Sequence, residues 1–244
     1  MRVGVALALT LIALSRAASA MVPSASSAAM MDMNDTESQS SVLIDQLELR
    51  AGEGETAGAW QGEAWYGGDY DKLWIRSEGL WPAGEGASGR AEVLWDRIVS
   101  RWWSLQAGAR YDAGGGPGRG WGAIGLEGLA PYWFDVQATL YVGEAGRFAT
   151  RVLAERDLLL TQRLILQPEA ELNAYTRADP ARALGAGLTN LEAALRMRYE
   201  VRRELAPYLG VGWISALGES GRLEHARGLP SRAWQMLLGV RAWF

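Results

Sequence analysis

The chain ends in the stretch WQMLLGVRAWF, residues 234–244, and this stretch decides the fold class. Side chains of a β-strand alternate between two faces, so every second residue lies on the same surface. One face of this strand is apolar and consists of Trp234, Met236, Leu238, Val240, Ala242 and Phe244. The opposite face carries mostly polar or small side chains, including Gln235, Gly239 and Arg241. Such alternation, continued to a C-terminal Phe, is typical of the closing strand of a bacterial outer-membrane barrel and predicts a lipid-facing side.

The N-terminus has the pattern of a cleaved secretory signal. Met1 and Arg2 form a short positive start, residues 3–14 form an apolar core, and residues 18–20 (Ala-Ser-Ala) form a small-x-small cleavage motif. The apolar core is too short for a transmembrane helix, which needs about 20 apolar residues. We therefore expect residues 1–20 to be removed, with Met21 as the first mature residue.

The rest of the chain divides into a tail and a barrel. Residues 21–41 are rich in Met, Ser and Ala without periodicity, and they predict a flexible periplasmic tail. Residues 42–244 contain about twelve strand-length segments, of which residues 134–142 and 191–201 alternate most clearly. Glycine-rich connections alternate with tighter turns, as they do in barrels whose termini both lie in the periplasm. The predicted fold is all-β: an antiparallel transmembrane β-barrel of the outer-membrane type with about twelve strands.

Pro168 is a local conflict with this assignment. It lies within an otherwise regular strand at residues 164–174, where it cannot donate a hydrogen bond to the ladder. We expect either a bulge at this proline or a strand boundary near Gln167.

Composition narrows the class of protein. The chain has no cysteine, so it has neither a disulfide framework nor a thiolate metal site. Its formal net charge of −4 offers no basic face for nucleic acid. The 12 Trp and 8 Tyr suit the aromatic girdles of a membrane barrel. A soluble Trp-rich β protein is the alternative.

Several ordered segments between residues 42 and 244 resemble the copper resistance protein B family of outer-membrane proteins. Those segments are DQLE at residues 45–48, GGDYDKLW at 67–74, GLAPYWF at 128–134, DLLLTQRLILQP at 157–168, RYE at 198–200 and RRELAPY at 202–208. The resemblance implies a barrel that contributes to copper tolerance, with copper ions as ligand and outer-membrane lipid as surroundings. We expect it to limit free copper in the periplasm either by sequestration or by assisting export. The resemblance also implies periplasmic copper-handling proteins as candidate partners.

The metal-binding candidates follow from this resemblance and from ligand chemistry. Members of the family often carry a long Met- and His-rich segment before the barrel, which here is reduced to Met30, Met31 and Met33 around one aspartate, with no histidine. Thioether sulfur is a soft ligand that suits Cu(I). These three methionines, and His225 in the predicted last outer loop, are the candidate copper ligands. A spacer with incidental methionines is the alternative for the tail.

The predicted inner face of the barrel carries many charged residues of both signs. They are Glu48, Glu63, Lys72, Arg76, Glu78, Glu92, Asp96, Arg110, Glu127, Asp135, Glu155, Arg163, Glu169, Glu171, Glu192, Arg196, Arg198, Glu200 and Arg241. In a narrow barrel such charges are expected to pair and fill the interior. A small polar channel is the alternative, in which Glu169, Glu171 and Glu192 would favour cations. His225 with Ser220 or Ser231 could also suggest an outer-membrane hydrolase, but no motif around them supports this. We expect a protein that is not an enzyme.

Overall fold

The computed structural model describes residues 38–52, 56–84 and 86–244, and twelve long antiparallel strands account for most of them. The strands are β1 (Gln39–Gly52), β2 (Thr56–Gly67), β3 (Asp71–Pro82), β4 (Ser88–Ile98), β5 (Trp103–Ala113), β6 (Arg119–Ala130), β7 (Phe134–Gly143), β8 (Arg147–Glu155), β9 (Leu164–Tyr175), β10 (Gly187–Tyr199), β11 (Leu205–Ala216) and β12 (Arg232–Trp243). The first strand begins at Gln39, inside the segment assigned to the tail. One helix, α1 (Gly218–Ala226), lies between β11 and β12. No helix within the described residues is both long and apolar enough to cross a bilayer.

The sheet closes on itself. Each strand pairs with the next, and β1 pairs with β12 through contacts such as Leu43 with Trp243 and Leu49 with Leu238. The backbone of Phe244 adds two hydrogen bonds to Val42. Closure leaves no sheet edge unpaired, which is the condition a sheet must meet to lie in lipid. The expected barrel of about twelve strands is confirmed.

The two faces of the strands separate as the alternation predicts. Leu238, Leu140 and Leu195 are 63%, 42% and 41% exposed on the outer surface. Glu48 and Arg196, on the inner face, are 3% and 1% exposed. The outer surface of the barrel is therefore apolar, whereas its ionic side chains lie inside.

The two ends of the barrel differ in their connections. The end where both termini lie, here called the terminus end, has connections of three to eight residues. At the opposite end, here called the loop end, the last two connections are long and span residues 176–186 and 217–231. The first four connections at the loop end are only three to five residues long. The predicted sorting of connections by length thus holds for the last two loops alone.

The missing N–H donor of Pro168 is accommodated by an interruption of the neighbouring strand β8, and not by a bulge or a boundary in the strand that contains the proline. Strand β9 continues through it, and the Pro168 carbonyl accepts a hydrogen bond from the Arg156 amide. In an antiparallel ladder the N–H and C=O of one residue point to the same neighbour, so the missing donor faces β8. There β8 ends at Glu155, and pairing resumes with the short segment Leu158–Leu159.

Candidate functional site

The interior of the barrel contains clusters of charged and polar side chains, and Arg196 lies at the centre of one of them. Its Nη1 is 2.8 Å from Oε2 of Glu169 on β9, and its Nε is 3.2 Å from Oε2 of Glu48 on β1. Its Nη2 donates to Oε1 of Gln46 at 3.0 Å. One guanidinium on β10 therefore connects three strands. Charge-assisted hydrogen bonds of this kind are stronger than neutral ones.

Tyr208 also belongs to the Arg196 cluster, because its side chain lies close against the backbone of the barrel wall. Tyr208 on β11 donates its hydroxyl hydrogen to Oε2 of Glu48 at 2.9 Å, and its ring lies over Gly239 on β12. A Cβ at position 239 would come within 2.6 Å of that ring. The absence of a side chain there lets the phenol reach the carboxylate.

Two further arginines bridge strands that are not neighbours. Arg151 on β8 reaches Glu78 on β3, with 3.2 Å between Nη2 and Oε2, and also Glu171 on β9 at 2.7 Å. Arg90 on β4 lies 3.5 Å from Oε1 of the same Glu171. Four strands lie between β3 and β8, so these side chains extend across the interior instead of along one wall.

A third cluster of polar side chains connects strands β2, β3, β5 and β6. Arg76 on β3 contacts Glu127 on β6 at 2.6 Å and Glu63 on β2 at 3.3 Å. Its Nη1 donates to Gln106 on β5 at 3.1 Å. The expected pairing of interior charges is therefore present around this wall as well.

The three carboxylates proposed as a cation-attracting ring are all neutralised. Glu169 and Glu171 are paired as described above, and Glu192 accepts from Arg50 on β1 at 2.6 Å. A guanidinium beside each carboxylate cancels most of the field that would attract a cation. Among the residues that the structure describes, no group of three or more His, Cys, Asp or Glu side chains is placed to hold a metal ion.

Open space in the interior lies toward the loop end. A cavity of about 360 Å³ there is lined by Arg50, Arg90, Glu78 and Glu171 and, from helix α1, by Glu224. Burial raises the pKa of Glu224. The polar lining suits water or a small polar solute.

At the loop end itself, Asp179 holds the long loop 176–186 to the barrel wall. Its Oδ2 is 2.9 Å from Nε of Arg119 and 2.9 Å from Nη1 of Arg147. The hydrogen bond from Arg119 holds the pKa of Asp179 below its ordinary value.

Of the four predicted copper ligands, the structure describes only His225. Met30, Met31 and Met33 lie outside the described residues, as does the expected signal sequence. His225 is an exposed residue of helix α1 and lines a surface groove together with Arg222 and Arg232. Two guanidinium groups beside an imidazole disfavour binding of a metal cation there.

The residues of the hydrolase alternative are only partly brought together. Ser231 lines the same groove as His225, whereas the Ser220 hydroxyl accepts a hydrogen bond from the Gly185 amide. None of the groove's lining residues, all within the described chain, is an Asp or Glu that could orient the histidine.

Comparison with known proteins identifies the family to which this chain belongs. The family described as "Copper resistance protein B precursor (CopB)" matches residues 38–244. This chain belongs to the copper resistance protein B family. Copper resistance protein B of Escherichia coli is 42% identical over 203 residues, which cover 83% of this chain and 69% of that protein. A copper resistance protein B homolog of Pseudomonas syringae pv. tomato is 39% identical over 212 residues, covering 87% and 72%.

A solved structure supports the fold of this copper resistance protein B family member. The NanC porin superposes with a TM-score of 0.55 at 13% identity, covering 80% of this chain and 98% of that one. At this identity the likeness concerns the fold alone. The porin-like barrel suggests the outer membrane, and family membership supports a role in copper resistance.

Sequence reasoning assigned most of the interior of this family member but missed three of its bridging arginines. Arg50, Arg90 and Arg151 share the alternation of inward residues on their strands, yet the first two lie near predicted loops. Strict extension of the period of two from Glu48 and Glu92 would have found those two. Arg163 and Asp135, which the alternation also assigns to the inner face, are exposed because both lie close to turns at the terminus end.

Proposed function

We propose that this protein lies in the outer membrane and limits free copper in the periplasm by binding the ion at its N-terminal methionines. In this proposal the barrel is a closed anchor that catalyses no reaction. Periplasmic copper-handling proteins would exchange copper with the methionine segment at the terminus end. Sequestration is favoured over passage of copper through the barrel.

The observation that carries the proposal is the set of salt bridges across the interior, in a member of a copper resistance family. A hydrated cation moving along the barrel would have to separate Arg151 from Glu78 and Arg90 from Glu171. Separating buried pairs leaves uncompensated charges and costs several kcal/mol. Binding outside the barrel avoids that cost.

The methionine segment has suitable chemistry and position. Thioethers coordinate Cu(I) in preference to harder cations. Met33 precedes Gln39, the first residue of β1, by six residues. At no more than about 3.5 Å per residue, its Cα can lie no farther than roughly 20 Å from that of Gln39.

A Cu(I) titration of the refolded protein tests this site. The variant Met30→Leu/Met31→Leu/Met33→Leu should lose the tight site that the parent protein shows in competition with a Cu(I) chelator. The matched control is Met197→Leu/Met236→Leu, which removes two thioethers from the lipid-facing surface and should bind as the parent does. Equal affinity in the triple variant and the parent would refute the methionine site.

Planar-bilayer conductance tests the closed barrel against the passive-channel alternative. The parent protein should give no stable current steps, and Arg90→Ala/Arg151→Ala, which removes the bridges, should give measurable ones. Steady conductance by the parent protein would instead favour the channel.

A further inference from the structure

Helix α1 separates two spaces at the loop end of the barrel. Ser220 and Glu224 line the cavity inside the barrel. Gly218, Arg222 and His225, spaced at helical intervals on another side, line the groove outside it. The helix therefore presents a carboxylate to the interior and basic groups to the exterior.

The outer groove is basic, and none of the acidic side chains that the structure describes pairs with its arginines. It measures about 590 Å³ and is formed by α1 and by the ends of β11 and β12, with Ser231 and Arg232 on the strand side. The salt bridges at this end join other arginines to Asp179. Within the described residues, Arg222 and Arg232 take part in no salt bridge.

The nearest carboxylates of the helix are directed elsewhere. Glu219 accepts a hydrogen bond from the Ala186 amide at 2.8 Å, and Glu224 lines the interior cavity. The groove therefore combines two guanidinium groups, an imidazole and a hydroxyl. Guanidinium groups bind phosphate oxygens in a bidentate manner, so this set suits a phosphate ester.

The position of the groove indicates where that phosphate would come from. Arg232 points outward on β12, and the next outward residue is Trp234, which is 64% exposed and pairs with Trp213 of β11. Tryptophans on the outer surface of membrane barrels lie at the level of the headgroups. Two residues along a strand span about 7 Å, so the groove begins just beyond that level on the loop side.

We propose that the groove formed by Arg222, His225, Ser231 and Arg232 binds a phosphate group of an outer-leaflet glycolipid. The inference rests on the outer-membrane placement in the proposed function but not on its copper site. Free inorganic phosphate has the same chemistry, and the test separates the two sources.

Native mass spectrometry of the full chain in detergent micelles with added lipid A, a phosphorylated glycolipid, tests the proposal. The parent protein should retain lipid A but not its dephosphorylated form. Arg222→Gln/Arg232→Gln should bind at least about tenfold more weakly, because each charged hydrogen bond lost weakens binding several-fold. The matched control, Arg97→Gln/Arg101→Gln, removes two exposed arginines at the terminus end and should bind as the parent does.

Three results discriminate among the outcomes. Equal binding by Arg222→Gln/Arg232→Gln and the parent, or equal retention of dephosphorylated lipid, overturns the proposal. Inorganic phosphate that binds the parent as tightly as lipid A, and is lost in the same variant, keeps the phosphate site but overturns the lipid source. The Cu(I) affinity of the double variant should stay unchanged, so failure here is distinguishable from failure of the copper site.

Discussion

Replacing Arg196 by methionine should destabilise the barrel more than removing any surface charge. The guanidinium is almost completely buried and contacts Glu48, Glu169 and Gln46. Methionine has a similar length and lacks the charge, so the change removes the ion pairs and leaves a smaller void than alanine would.

The expected magnitude follows from the partners that remain. Glu48 keeps Arg50 at 2.7 Å and the Tyr208 hydroxyl at 2.9 Å. Glu169 keeps only the Gln46 amide at 3.1 Å and has no other cation bound to it in the described structure. Breaking a buried pair on one side typically costs about 3–5 kcal/mol. Because one of the two carboxylates stays paired, we expect a loss of about 3 kcal/mol in the free energy of unfolding.

Urea unfolding in lipid vesicles, followed by tryptophan fluorescence, measures this loss. The double variant Arg196→Met/Glu169→Gln should recover about half of it or more, because the uncompensated carboxylate is gone. The control Arg97→Met removes an exposed contact, 3.9 Å from Asp71, and should cost no more than about 1 kcal/mol. If Arg196→Met costs no more than Arg97→Met, the interior network does not hold the barrel together.

Two further predictions concern the wall and the loop end. Gly239→Ala should displace the Tyr208 ring and cost about 1–3 kcal/mol in the same unfolding assay, whereas Gly212→Ala, whose Cβ would meet only ordinary contacts, should cost less. The hydrogen bond from Arg119 lowers the pKa of Asp179 from its ordinary value of 3.8, so this pairing stabilises the folded loop above that value and the stabilisation is lost as the pH falls through the lowered pKa. Hydrogen exchange of residues 176–186 should therefore accelerate on acidification beyond its intrinsic change, and in Asp179→Asn it should be fast already at neutral pH. Protection that is independent of both pH and this substitution would contradict the assignment.

The sequence by itself determined where the strands lie and which face of each strand is apolar. A period of two is a local property, so the outward position of Leu238 and the inward position of Glu48 follow from alternation alone. The number of strands follows from repeated segments of similar length. Pro168 was correctly placed in conflict with its ladder, but the adjustment occurs in β8, because only pairing shows which neighbour faces the missing donor.

Only the closed barrel decided which charges meet and where the surface groove forms. Arg151 and Glu78 are 73 residues apart in sequence, and alternation says that both face inward but not that they touch. Their contact depends on the stagger and curvature of the closed sheet, which arise from all twelve strands together. Helix α1 lies where the sequence predicted only a glycine-rich loop, because its packing against neighbouring loops stabilises it more than its own propensity does. The carboxylate on one side of α1 faces the interior cavity and the basic groups on another side face the outer groove, so only the tertiary structure decides what each side can contact.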